Sequence, residues 1–139
     1  MLSGESDETL QRMHDIGLNL GIAFQLIDDV LDYEGDPETT GKNIGDDLSE
    51  GKPTLPLIHA MSHGTSEEAA LIADALRTKS ADRLSEIVAL ADSSGGIRET
   101  RNAAVEHCER VTSALAELSS SPAKVSLEKL AEFSISRES

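Results

Sequence analysis

Apolar residues between Leu10 and Leu31 recur at three- and four-residue steps: Leu10, Met13, Ile16 or Gly17, Leu20, Phe24, Ile27 and Leu31. That period puts them on one stripe of a helix. Ser6 or Asp7 is suited to cap it, and it runs to about Tyr33. A helix of roughly 26 residues is about 39 Å long, long for a globular domain, and it points to a bundle. Gly17 and Gly21 lie four apart inside it. Each costs about 0.8–1 kcal/mol relative to Ala. They mark either close approach of a neighbouring helix or ligand, or a solvated face that tolerates glycine.

Residues 34–54, EGDPETTGKNIGDDLSEGKPT, break the pattern with Gly, Pro and other turn formers and are read as a loop, with one short turn around Asp46 to Glu50. A loop of about twenty residues is well above the usual length, and such loops tend to be functional. Thr54 is suited to cap a helix carrying Leu55, Leu57, Ile58 and Met61, which Gly64 ends. Thr65 to Glu68 fits a capping box ahead of Ala69 to Thr78. Ser80 is placed to cap a segment through Leu84, Ile87, Val88 and Ala91. Ser93 to Gly96 reads as a turn before a helix from Ile97 to about Leu118. Ser121 and Pro122 open a last helix with Leu127, Leu130, Ala131 and Ser134 on one side and Phe133 at its flank. No alternating run of β-branched residues appears, so the fold class is all-α.

Composition narrows the function. Of 139 residues, 26 are acidic and 12 basic, a formal charge of −14. The first fifty hold thirteen Asp and Glu against Arg12 and Lys42 alone, a balance of −11. This excludes the basic surface a nucleic-acid binder needs and a polybasic lipid-binding patch. Phe24, Phe133 and Tyr33 are the only aromatics, so the core is built from Leu, Ile, Val and Ala. A lone Cys108 excludes an internal disulfide and reads as a small buried side chain. No transmembrane run and no leader pattern are present in the sequence, so a cytoplasmic protein is expected.

The unusual chemistry lies in FQLIDDVLDY, where Asp28, Asp29 and Asp32 interrupt the most apolar part of the first helix. Asp28 and Asp32 share a face, Gln25 is one turn earlier, and Asp29 is near enough to reach the same side. Such a triplet suits Mg²⁺, which takes carboxylates and keeps waters that bridge to phosphate oxygens; a solvated acidic face is the alternative. The following loop brings Lys42 and Lys52, ten apart, with Asp46 and Asp47 between them. Carboxylates for a cation together with two lysines are what diphosphate recognition requires. GKNIG lacks the Ser or Thr of a phosphate-binding P-loop, and the acids do not have EF-hand spacing. His14, His59, His63 and His107 show no metal-ligand spacing.

The stretch GIAFQLIDDVLDYEGDPETTGKNIGDDLSEGKPTLPLIHAM, residues 21–61, strongly resembles the second aspartate-rich region of trans-polyprenyl diphosphate synthases, most closely the long-chain bacterial octaprenyl-forming members. SGGIRETRNAAVEHCERVTSALAEL and the Pro-started last helix resemble the C-terminal end of that family, so the likeness covers essentially the whole chain. It implies the C-terminal part of the isoprenoid synthase helical bundle, dimeric in full-length members. The implied reaction is a Mg²⁺-dependent, head-to-tail condensation of isopentenyl diphosphate with an allylic diphosphate. Ionisation, condensation and proton loss need no side-chain nucleophile, only stabilisation of the leaving group and exclusion of water. By the same resemblance Asp28 and Asp29 hold the metal, with Asp32 and the loop acid Asp46 completing the metal cluster. Gln25 and Phe24 line the substrate side. Lys42 and Lys52 contact the allylic diphosphate.

The likeness also implies what is not here. Family members are about twice this length and carry an earlier aspartate-rich helix, and no DDxxD precedes residue 28. The chain is therefore expected to be a partial synthase domain over residues 1–139, with the motif helix at 7–33, the substrate loop at 34–54 and C-terminal helices at 55–139. Alone it is expected to be inactive, and some of its exterior should be core that faces other helices. Three rivals are a terpene cyclase relative, a noncatalytic or regulatory subunit of a heteromeric prenyl diphosphate synthase, and a plain helical interaction module. The GKNIGDDLSEGKPTLPL loop favours the chain-elongating branch over the first, and the intact Asp28, Asp29, Asp32 and Lys42 weigh mildly against the second.

Overall fold

The computed structural model describes residues 7–34 and 45–136. These form helices α1 (Asp7–Glu34), α2 (Asp46–Ser49), α3 (Leu55–His63), α4 (Ser66–Thr78), α5 (Leu84–Ser93), α6 (Gly96–Ala116) and α7 (Pro122–Ser136), with no strand among the described residues. The all-α expectation holds.

The fold is organised on α1, 28 residues long, and α6, which lies along it. Ile27 and Leu31 of α1 close on Ala104 of α6 at the middle of the contact. Towards the start of α1, Ile16, Leu20 and Ala23 pack with Cys108, Val111 and Leu115 of α6 and Ala131 of α7. Towards its end, Val30 and Tyr33 join Leu48, Leu57, Ala60, Ile72, Ile87 and Ile97 from α2 to α6. The inward residues step by three and four, so burial of one stripe, rather than propensity, holds the helix. Arg101 of α6 pairs with Glu34, fastening the last turn of α1. Cys108 is buried, its thiol donating to the Ala131 carbonyl at 3.5 Å.

Local signals explain most boundaries. The Thr65 hydroxyl accepts from the Glu68 N–H while the Glu68 carboxylate accepts from the Thr65 N–H, the expected capping box. Ser121 Oγ accepts from the Lys124 N–H ahead of Pro122. The start of α5 differs: Arg83 occupies its N-cap position, and Ser80 Oγ instead accepts from the Asp82 N–H in the preceding turn. Gly45, before α2, has φ +88°, a left-handed conformation that glycine adopts without steric cost. Gly96 is fixed by packing, since a Cβ there would lie 2.5 Å from the Pro56 carbonyl oxygen.

The first part of the α1 stripe departs from expectation. Leu10 is 49% and Met13 42% exposed, and Leu18 beside them is 54% exposed. Burial begins at Ile16, where α6 and α7 first cover the helix. Gly17 and Gly21 are exposed, and a Cβ on either would meet nothing within 4 Å. In this chain they make no close approach to a described neighbour. On α7, Ala131 and Ser134 are buried as expected, while Leu130 is 40% and Phe133 56% exposed.

Candidate functional site

The last three turns of α1 carry the acids. Inward positions Ile27, Val30 and Leu31 anchor this stretch in the core, which fixes where the intervening side chains leave the helix. Asp28 is half-buried and Asp29 nearly buried. Gln25 is exposed and donates from Nε2 to Asp29 Oδ1 at 2.9 Å, so the glutamine orients an acid one turn ahead. Phe24 is half-buried against the cluster of Ile16, Leu20 and Ala23.

Asp32 is in a different situation. It has no exposed surface, and its carboxylate accepts from the Asp47 N–H at 3.3 and 3.4 Å. Its own carbonyl accepts from the Gly45 N–H at 3.0 Å. Gly45 has no side chain with which to cap α2, so Asp32 supplies an acceptor to the first turn of α2 from across the chain.

The adjacent residue makes the second tie. The Tyr33 hydroxyl is hydrogen-bonded to Thr54 Oγ1 at 3.1 Å, with both residues buried. Thr54 sits at the N-cap position of α3 as expected, but its hydroxyl serves Tyr33 and makes no cap bond. Burial pushes the Tyr33 phenol well above its ordinary pKa; the Thr54 bond opposes this, and the carboxylates of Asp32, Asp47 and Asp29 add to it. The hydroxyl is therefore neutral throughout the physiological range.

Between the two ties lies Lys52. Its N–H donates to the Asp47 carbonyl at 2.9 Å, and its ammonium is 2.9 Å from Glu50 Oε2 and 3.6 Å from Asp47 Oδ1. The Lys52 side chain is 59% exposed and the Asp47 side chain 5%. The bond to Glu50 raises the lysine pKa, so it is a standing positive charge. Asp46 is half-buried at the first position of α2. Lys42 lies outside the described residues.

Nothing in the sequence marks Asp47, Tyr33 or Thr54 as part of this site. Local spacing does not separate Asp47 from Asp46, whereas burial does. A tyrosine at the end of an apolar helix and a threonine before a helix read as core and cap.

Among the described residues no group of three or more His, Cys, Asp or Glu is disposed to hold a metal ion. Asp28 and Asp29 nevertheless form an adjacent pair of carboxylates. Mg²⁺ is commonly held by one or two carboxylates, with waters and substrate phosphates completing its octahedron. The donor chemistry fits that ion, and the Asp32 carboxylate one turn on accepts from the Asp47 backbone.

The fold and the acidic helix define the class, an all-helical protein with aspartates near the end of a long helix and a lysine-bearing segment bound to that end. Residues 1–91 match the family model Polyprenyl synthetase. The chain belongs to the polyprenyl synthetase family, which is a family of prenyltransferases. It is 44% identical over 139 residues to the octaprenyl diphosphate synthase of Escherichia coli strain K12, covering 99% of this chain and 43% of that protein. It is 42% identical over 119 residues to an all-trans-nonaprenyl-diphosphate synthase of Rhodobacter capsulatus, covering 86% and 37%. Its fold matches the polyprenyl synthase of Caulobacter crescentus CB15 complexed with calcium and isoprenyl diphosphate, with a TM-score of 0.86, 37% identity, and 99% and 42% of the two chains covered. The decaprenyl diphosphate synthase of R. capsulatus gives a TM-score of 0.86 at 34% identity, covering 99% and 43%. The chain thus spans less than half the length of each of these relatives. No helix among the described residues is long and apolar enough to cross a membrane.

Proposed function

We propose that this chain carries the allylic-diphosphate half of a trans-polyprenyl diphosphate synthase site, of the octaprenyl-forming type. The complete reaction is the head-to-tail condensation of isopentenyl diphosphate with an allylic diphosphate. The observation that carries the reading is the joining of the Asp28–Asp29 pair and the Lys52 segment at one helix end, in a chain 44% identical to an octaprenyl diphosphate synthase. In this reading Asp28 and Asp29 hold Mg²⁺, Gln25 orients Asp29, and Lys52 offers its ammonium to diphosphate oxygens. Asp46 joins them from the Lys52 segment, the family motif assigns Lys42 to the same diphosphate, and Phe24 lines the substrate side. The bound Mg²⁺ would supply charge neutralisation for the departing diphosphate. Asp32 supports the cluster from behind. The complete enzyme acts as a homodimer in the cytoplasm.

Turnover is the direct test. Purified chain is incubated with Mg²⁺, an allylic diphosphate and labelled isopentenyl diphosphate. The reading assigns these residues one of the two diphosphates the reaction must order, so no elongated product is expected from the chain alone. Normal turnover would overturn the division of labour proposed here. A chain that binds neither diphosphate would favour a noncatalytic subunit of a heteromeric synthase.

A further inference from the structure

Resting on that reading of Lys52, we infer that the hydroxyl pair of Tyr33 and Thr54 is a positioning device that sets where the Lys52 ammonium stands relative to the acids of α1. Segment 45–54 is fastened to the end of α1 at two points. At its start, the Asp32 carbonyl and carboxylate take the N–H groups of Gly45 and Asp47. Near its far end, Thr54 Oγ1 and the Tyr33 hydroxyl bond at 3.1 Å in a buried setting. Lys52 lies between these points, two residues before Thr54, and the Thr54 N–H donates to its carbonyl at 3.0 Å. Asp32 and Tyr33 are consecutive residues on the helix that bears Asp28 and Asp29. One rigid element therefore carries both the proposed metal acids and both anchors of the lysine segment. On the Asp32 side the backbone is held by the Gly51 N–H on the Leu48 carbonyl and the Lys52 N–H on the Asp47 carbonyl. The Tyr33–Thr54 bond adds the tie on the other side of Lys52, fixing Thr54, where the segment enters α3, to the end of α1. Buried oxygen atoms committed to one another hold position better than exposed ones, because either costs free energy if left unpaired. The hydroxyls touch no reacting atom in this scheme and act through Lys52 alone.

The probe is inorganic diphosphate with Mg²⁺, titrated calorimetrically into the full chain. Tyr33→Phe and Thr54→Val each remove one hydroxyl and little volume. Each is expected to weaken Mg²⁺-dependent diphosphate affinity about three- to tenfold, the order of one net hydrogen bond, while Thr54→Ser retains wild-type affinity to within about twofold. In a Lys52→Met background, Tyr33→Phe is expected to cause no further loss, because its effect passes through the lysine. Wild-type affinity in Tyr33→Phe, or losses that multiply with Lys52→Met, would overturn the inference while leaving the proposed site standing. A wild-type chain without Mg²⁺-dependent diphosphate affinity would overturn the site reading, and the inference with it. Should Tyr33→Phe fail to fold by circular dichroism, the Thr54→Val and Thr54→Ser pair decides.

Discussion

The carboxylate of Asp32 reaches across fifteen residues to the backbone N–H of Asp47, at 3.3 and 3.4 Å, and is fully buried in doing so. An acid that looks in sequence like the third member of a metal triplet thus bonds to the first turn of a short helix. The consequence is energetic as well as geometric, since α2 has only four residues and a glycine at its cap.

Asp32→Ala should therefore destabilise the fold by about 1–3 kcal/mol, the cost of leaving a buried N–H without its acceptor. Asp32→Asn keeps an oxygen in place and should lose less. Urea denaturation of both variants checks this. Equal stability of Asp32→Ala and wild type would show that the contact contributes nothing.

Tyr33 is the sole tyrosine in a chain without tryptophan, so phenolate absorbance reports on it alone. Burial raises its folded pKa above the unfolded value of about 10. A group whose pKa rises on folding contributes its full stabilisation below the unfolded value, and this is lost as pH rises above it. The phenol should therefore resist ionisation in the native protein and titrate together with alkaline unfolding. In urea it should titrate near 10. A native titration matching that in urea, with circular dichroism unchanged, would contradict the buried setting.

The glycines divide by environment. Gly17→Ala and Gly21→Ala place a Cβ where nothing lies within 4 Å, so each should stabilise this chain by about 0.5–1 kcal/mol through helix propensity. Gly96→Ala drives a Cβ against the Pro56 carbonyl oxygen and should cost about 1–3 kcal/mol. Thermal melts of the three variants test the contrast. Destabilisation by Gly17→Ala or Gly21→Ala would show that the α1 face is packed in solution.

What was legible in the sequence is what depends on local chemistry. The stripe through Leu20, Ile27 and Leu31, the Thr65–Glu68 box and the Ser121–Pro122 start each follow from neighbours within a turn. What escaped depends on partners distant in sequence. Helical spacing groups Asp32 with Asp28 but carries no sign of its bond to the Asp47 N–H, fifteen residues away. Thr54 stands at the N-cap of α3 as the sequence predicts, yet its hydroxyl goes to Tyr33, twenty-one residues away. The early stripe at Leu10 and Met13 has the right period, yet neither α6 nor α7 buries it. The roles proposed for Asp28, Asp29, Gln25 and Lys52 rest on the family motif. Lys42, read the same way, lies outside the described residues.

The central claim is that Asp28 and Asp29 hold an allylic diphosphate through Mg²⁺. Equilibrium binding of a nonreactive allylic diphosphate analogue to the full chain, with and without Mg²⁺, tests it most directly. The account predicts binding that requires Mg²⁺ and falls at least about tenfold, roughly 1.4 kcal/mol, in Asp28→Ala and Asp29→Ala with folding intact. Binding that ignores Mg²⁺, or that survives both substitutions, would contradict it.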